Sequence, residues 1–436
     1  MPGDSPTGQI DPPSFVHDPA LLAVLNALPG TRIVGGAVRD AIAGRPVHDV
    51  DLATPMPPDA VMAALNTAGL RALPTGLAHG TITALGQGAT FEVTTLRRDH
   101  DTDGRHACVD WTSDWREDAA RRDFTFNAMS MTADGAVWDY FGGWADLTAG
   151  TVRFVGAPEQ RIAEDSLRIL RFFRFHARYG HGAPDPAALD AIRAGVPGLA
   201  RLSAERVWSE MKRIVDTPAP GPAVQLMADL GVLEALLPGA SATGLCRLPA
   251  AAPDDPLLRL EALRPGAADL AERLRLSTAE RDTLLALAGP APTDAMDDAS
   301  LRRMMADVPA PALLGRAWLG GGGPVVRVGA GDVPEAVRDR VELSADESGA
   351  GTDVDVSAGV AVAVCRDRVG AAQRVGVAAF RGPVDAAAGR AGDPAGAAAA
   401  PVVTALAAPG DRGGVRDDRG NADGKAAMFR TSGLAD

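Results

Sequence analysis

Two aspartates one residue apart, Asp49 and Asp51 in HDVDLAT, close a stretch that opens RIVGGAVRD at residue 32. On an extended strand, residues two apart project from one face, so both carboxylates would point the same way. Such a pair can hold Mg²⁺, which takes oxygen ligands and binds together with substrate phosphates. Two such ions would polarise an attacking hydroxyl and neutralise a leaving pyrophosphate. Glu92 in FEVTTLR is the candidate third carboxylate, from a neighbouring strand. Upstream, Gly35 and Gly36 lie between an apolar run and a helical pattern, where backbone N–H groups can approach a triphosphate unobstructed. Arg39, on the first turn of that helix, can grip phosphate oxygens as a charged fork. Each piece alone is commonplace, a turn or a solvated strand end. Together, at this spacing, they point to nucleotide chemistry.

More residues of the same kind follow. In RRDFTFNAMS, Arg121 and Arg122 could neutralise a triphosphate and Asn127 could read a sugar or phosphate, although an RRD by itself is most often a surface charge cluster. In EDSLRILRFFRF, Glu164, Asp165 and Arg168 fall on adjacent turns of an expected helix. Asp165 and Arg168, three apart, would lie side by side. An acceptor carboxylate beside a guanidinium can hydrogen-bond the Watson–Crick edge of a base; an intrahelical salt bridge is the commoner outcome of that spacing. Arg168, Arg171, Arg174 and Arg178 recur at intervals of three and four. They could face RNA phosphates, pair with carboxylates or lie over the core.

These residues need strands and helices to aim them. Short apolar runs predict strands over 32–34, 48–52, 80–85 and 90–95, with helices over 18–28 and 36–43. The first 14 or so residues read as a loose Pro/Gly/Ser tail, and the charged stretch 97–120 as a loop, either mobile and functional or a plain surface connection. After Pro158 the pattern is all helical. Residues 159–180 predict one long amphipathic helix ending at a left-handed Gly180. Further helices are expected over 187–194, 203–215, 223–230 and 278–287.

From Gly320 onward the 436-residue chain has no Ile, Trp or Tyr, and its leucines are Leu343, Leu406 and Leu434. Such a segment buries little apolar surface and should be largely disordered. It reads as a linker or tail or, the favoured reading, as a GC-rich gene translated out of register after about residue 320, in place of a C-terminal domain. A net charge of −13 argues against a protein coated in positive charge but not against a local basic groove. Cys108, Cys246 and Cys365 form no metal spacing and fit a reducing cytoplasm. The N-terminus has no signal-peptide pattern, and no stretch approaches the roughly 18 apolar residues of a membrane span. A cytoplasmic protein is expected.

Taken in order, GGAVRD…HDVDLAT, HGTITALGQGATFEVTTLR, RRDFTFNAM and EDSLRILRFFRF closely resemble the class II CCA-adding tRNA nucleotidyltransferases, over about residues 18–215. The wider family includes bacterial poly(A) polymerases and belongs to the polymerase-beta nucleotidyltransferase superfamily. The resemblance implies an α+β fold: a nucleotidyltransferase head with a mixed sheet (18–155), a helical neck (156–216), a helical tRNA-binding body (217–319), then the tail (320–436). It implies that Asp49 and Asp51 bind the catalytic metals, with Glu92 beside them, and that Gly35, Gly36 and Arg39 hold the triphosphate. Arg121, Arg122, Asp123 and Asn127 would contact sugar and phosphates. Glu164, Asp165 and Arg168 would act as an amino-acid template for CTP or ATP, buttressed by Glu205, Arg206 and Glu210. The loop at 97–120 matches a flexible element needed to switch from C to A addition.

The implied activity is addition of CCA to tRNA 3′ ends from CTP and ATP, with Mg²⁺ as cofactor. The partners are tRNA and nucleoside triphosphates, with no DNA and no membrane. A poly(A) polymerase, a CC- or A-adding enzyme and a catalytically impaired tRNA-binding protein are the alternatives. The first lacks its basic GRRFR-like segment here.

Overall fold

The computed structural model describes residues 5–320 except 87, 101–107, 249–251, 267 and 294–295; beyond 320 it describes 362–369, 372–379 and 405–406. Eight strands form one mixed sheet: β1 (Gly8–Gln9), β2 (Arg32–Val34), β3 (Asp51–Thr54), β4 (Arg71–Gly76), β5 (Thr81–Gly86), β6 (Ala89–Thr95), β9 (Ser130–Met131) and β10 (Ala136–Trp138). Their order is β1-β10-β9-β2-β3-β6-β5-β4. β3 and β6 run parallel and the other ladders are antiparallel. Between β6 and β9 lie β7 (Arg97–His100), β8 (Cys108–Trp111) and helix α4 (Trp115–Ala120).

Local signals account for the elements around the site. α1 (Pro19–Ala27) starts where Asp18 caps it, its carboxylate accepting from the Ala20 N–H at 2.9 Å, with Pro19 at the first turn. α2 (Gly36–Ile42) follows β2 through Gly35, whose φ of +67° a side chain would strain. Its inner face buries Ala37 and Val38. α3 (Pro58–Thr67) and α5 (Gly143–Ala149) complete the sheet-bearing part.

Helices follow: α6 (Pro158–Glu164), α7 (Leu167–Tyr179), α8 (Pro186–Gly195) and α9 (Ala204–Val215). Beyond them come α10 (Gly221–Asp229), α11 (Val232–Leu236), α12 (Thr243–Cys246), α13 (Pro256–Leu263), α14 (Ala268–Arg273), α15 (Thr278–Leu287), α16 (Asp298–Asp307) and α17 (Ala310–Leu319). One hydrophobic core runs through sheet and helices, from Leu21, Ile33 and Leu52 to Phe172, Met211 and Leu258. Its aromatic centre joins the RRDFTF segment to α7. Phe124 lies 4.7 Å from Phe154 and 5.3 Å from Phe175, ring to ring. Fully burying each such ring stabilises by about 1.5–3 kcal/mol, so the two segments are held in a fixed relation.

Several expectations need correction. β3 begins at Asp51, not residue 48, because its partner β2 ends at Val34, opposite Asp51, where the chain turns at Gly35. Asp49 therefore precedes the strand. The expected helix over 159–180 is two helices. Asp165 is extended (φ −153°, ψ 108°), and its carboxylate accepts from the Leu167 N–H at 3.0 Å, which ends one helix and starts the next. Gly180 closes α7 at φ −73°, not in the left-handed region. The loop at 97–120 carries the β7–β8 hairpin and α4, with its tip at 101–107 outside the described residues. The N-terminal tail includes β1, which pairs along β10 at the sheet edge. In the stretch after 320, expected to be disordered, the described residues form an antiparallel ladder of Val362–Val369 with Ala372–Ala379, and Ala405–Leu406 beside it. The remaining residues after 320, on which the tail and out-of-register readings rest, lie outside the described residues.

Candidate active site

The glycine turn and the RRD segment, 86 or so residues apart in sequence, meet at one cavity of about 450 Å³. Gly35, Gly36, Asp51, Arg122, Asp123, Asp165 and Arg168 are among its walls. A Cβ on Gly35 would stand 3.2 Å from a terminal nitrogen of Arg122, so the bare glycine leaves that guanidinium its place. Six arginines line the cavity (39, 122, 168, 171, 174 and 206) against three aspartates (51, 123 and 165). That surplus of positive charge in a space of ligand size suits a polyanion.

The arginines are held by a buried lattice of acids and amides. Arg39 is buried, donates to Asn127 Oδ1 at 2.7 Å and grips Asp40 through two nitrogens at 3.1 and 2.9 Å. Asp40 in turn accepts from the Tyr179 hydroxyl, whose ring lies 4.6 Å beneath Arg39. Asn127 donates to Asp123, which also accepts from the Phe124 N–H at 2.8 Å and from Arg171 Nε at 2.7 Å. Burial alone would push the Asp123 carboxyl up. Arg171, Asn127 and the Phe124 N–H outweigh it and hold the carboxyl below its ordinary value. Glu210, buried on α9, accepts from Arg174 at 3.1 Å. Burial brings the Arg174 guanidinium down to about 10, against the pull of Glu210. The arginine stripe on α7 thus pairs with carboxylates at Arg168, Arg171 and Arg174, while Arg178 stays exposed.

A second cleft, about 620 Å³, opens on the other side of Asp51 and is lined by His48, Asp49 and Glu92. Asp51 and Glu92 are register partners on the parallel strands β3 and β6. Among the described residues, none of the three carboxylates has a hydrogen-bond or ion-pair partner. Desolvation in its recess, then Glu92 and Asp49, push the Asp51 carboxyl above its ordinary value, with Arg122 pulling the other way. Hard oxygen donors that repel one another suit a divalent cation. As they stand, no three His, Cys, Asp or Glu side chains among the described residues are grouped closely enough to hold one.

At the far end of the first cavity stand Asp165 and Arg168. They do not pair with each other. Asp165 Oδ2 accepts from Arg206 at 2.6 Å. Arg168 binds Glu164 and donates to the Arg161 and Arg121 carbonyls at 3.0 and 3.4 Å. Glu164 therefore holds Arg168 and is not among the residues lining the cavity. Of the three expected buttresses, Arg206 and Glu210 face this region, whereas Glu205 is exposed and pairs with Arg275 at 2.8 Å. Sequence reading missed Asp40, Tyr179 and Phe175 around Arg39 and, on α4, Asp118, which is buried and shared by Arg121 and Arg122. Its spacing of three and four before that pair was the available signal.

A sheet that carries acidic strand ends beside a glycine-led helix, followed by helices that close a cationic cavity, is an arrangement suited to a phosphate-bearing ligand. Residues 31–153 match the family described as the poly A polymerase head domain. Residues 183–243 match that described as the probable RNA and SrmB-binding site of polymerase A. Over 206 residues the chain is 47% identical to the mitochondrial CCA tRNA nucleotidyltransferase 1 of Danio rerio, covering 47% of this chain and 48% of that protein. It is 39% identical over 216 residues to the CCA-adding enzyme of Geobacillus thermodenitrificans, 48% and 51% of the two chains. The solved Bacillus stearothermophilus CCA-adding enzyme in complex with CTP is similar at a TM-score of 0.56 and 27% identity, covering 70% of this chain and 78% of that one. The likeness to the poly A polymerase head and its RNA-binding partner segment thus lies in residues 31–153 and 183–243. The chain spans about half the length of the curated relatives it matches. Among the described residues no helix is long and apolar enough to cross a membrane.

Proposed function

We propose that this protein adds C, C and A to the 3′ end of tRNA without a nucleic-acid template, using CTP and ATP. The observation that carries the reading is the cavity in which Gly35 and Arg122 meet Asp165 and Arg168, with Asp51 shared between it and the acidic cleft. The tRNA 3′-oxygen would bond to the α-phosphorus as the bond to pyrophosphate breaks. Mg²⁺ held by Asp49 and Asp51, with Glu92 nearby, would help the hydroxyl lose its proton and neutralise the leaving group. Arg122 and the N–H groups after Gly35 would orient the triphosphate, and Arg39 would hold that wall through Asn127. Arg121 and Asp123 serve as braces.

Base choice would fall to Asp165 and Arg168. Cytosine and adenine both offer an amino donor beside a ring-nitrogen acceptor, which an acceptor carboxylate and a donor guanidinium can match. Uracil and guanine present a carbonyl beside an N–H, the opposite pattern. Arg206 and Glu164 would keep the two side chains in place for this work. We take 18–155 as the catalytic head, 156–216 as the nucleotide-selecting neck and 217–319 as tRNA-binding body. The deciding experiment incubates the protein and Mg²⁺ with tRNA ending before CCA, offering CTP and ATP separately and together. Additions of two residues with CTP and three with both are expected. Long A tails would favour a poly(A) polymerase, and no product would overturn the reading.

A further inference from the structure

Neither the motifs nor the family resemblance singles out Asp118, yet it is among the most buried carboxylates here, 2% exposed. It lies on α4, three and four residues before Arg121 and Arg122. Oδ1 accepts from Arg121 Nε at 2.9 Å and from the Arg97 backbone N–H at 3.2 Å. Oδ2 accepts from a terminal nitrogen of Arg122 at 3.2 Å. Donors from the start of β7, the end of α4 and the RRD segment therefore converge on one carboxylate. A buried charge of this kind is costly unless its partners are well placed, and here they are.

The two arginines differ in what remains to them. Arg121 is spent on Asp118, with a second nitrogen 2.8 Å from the same oxygen, and is not among the residues lining the cavity. Arg122 lines the cavity. One of its nitrogens is fixed by Asp118 and the other reaches the Asn127 carbonyl at 3.4 Å. Two bonds on different nitrogens stop the guanidinium from pivoting, so its aim past Gly35 is set before a ligand arrives.

We propose that Asp118 is a positioning residue for polyphosphate binding: it fixes Arg122 as the arm that meets the β- and γ-phosphates, with Arg121 as the anchor. The inference rests on the nucleotidyl-transfer reading. Its consequence is selective, since only ligands carrying a polyphosphate use Arg122.

The test uses the full-length protein with Asp118→Asn and Asp118→Glu, the second keeping the charge but lengthening the arm by a methylene. The readouts are KM for CTP, and inhibition by inorganic tripolyphosphate and by CMP. Losing a charge-assisted bond should raise KM for CTP about 10-fold or more, weaken tripolyphosphate inhibition in parallel and leave CMP inhibition unchanged. Asp118→Asn added to Arg122→Gln should cost no more than Arg122→Gln alone, because the two act through one contact. If Asp118→Asn does not fold, Asp118→Glu decides, with the same direction and a smaller size. Unchanged tripolyphosphate inhibition in a folded variant, or equal loss of CMP and tripolyphosphate inhibition, overturns the proposal. Wild-type protein that binds neither tripolyphosphate nor CTP would sink the nucleotidyl-transfer reading itself, and this proposal with it.

Discussion

The two cavities that share Asp51 are opposites in charge and in how that charge is held. In the first, six arginines are each tied to a carboxylate, such as Arg171 to the buried Asp123 and Arg174 to the buried Glu210. In the second, Glu92 and Asp49 both repel Asp51, and none of the three makes a hydrogen bond or ion pair among the described residues. A cavity whose charges are satisfied keeps its shape without ligand. A cluster whose charges repel is stable only in spite of itself, and a cation would relieve it. The difference implies a division of labour: pre-set geometry for the polyphosphate, unspent charge for the metal.

The largest test removes the shared residue. Asp51→Ala should lower nucleotide addition by at least about 10³-fold, the scale on which removal of a key electrostatic group acts. Because the side chain repels its neighbours, the variant should melt no lower than wild type. Retained activity would break the assignment, and a large fall in Tm would break the contrast. The converse change is Arg171→Met, which strands Asp123 on the satisfied side. Removing one partner of a buried pair costs about 3 kcal/mol or more, read as a lower denaturation midpoint. If Arg171→Met were as stable as Asp51→Ala, the two cavities would not differ as claimed.

Acid sharpens the same comparison. Asp118 and Asp123 have carboxyls held below their usual 3.8, so each contributes stability above 3.8 that is lost as pH falls through its lowered folded value. Asp51 lies above 3.8, so it takes up a proton earlier, and doing so eases the repulsion instead of loosening the fold. Acidification toward 3.8 should therefore reduce activity before the contributions of Asp118 and Asp123 to stability are lost, read as a rate that falls ahead of the circular dichroism signal. Coincident loss of rate and structure would contradict this order.

How much of this was legible in sequence depends on how local each cause is. The strand, the turn at Gly35 and α2 are adjacent in the chain, so their pattern was readable and β2 begins and ends where expected. The start of β3 was not, because it is set by where β2 stops pairing. The break at Asp165 was missed because LRILRFFRF continues the helical period, while the interruption comes from one side chain capping Leu167. The arginine stripe on α7 was legible as a row, but its partners Asp123 and Glu210 come from segments 48 and 36 residues away. Only packing brings those together.

The smallest expected effect concerns two adjacent residues on α9 that sequence resemblance treats alike. Arg206 holds Asp165 Oδ2 at 2.6 Å and lines the cavity, whereas Glu205 points out to Arg275. Arg206→Ala frees Asp165 to rotate and should reduce discrimination of CTP and ATP from UTP and GTP by about 10-fold, the worth of one charge-assisted bond. Glu205→Ala should change neither that ratio nor Tm measurably, since an exposed pair contributes little. A ladder of single-turnover rates with the four triphosphates separates the two variants. An equal loss from both would mean that α9 acts as a rigid unit behind the template, and that the bond from Arg206 is incidental to it.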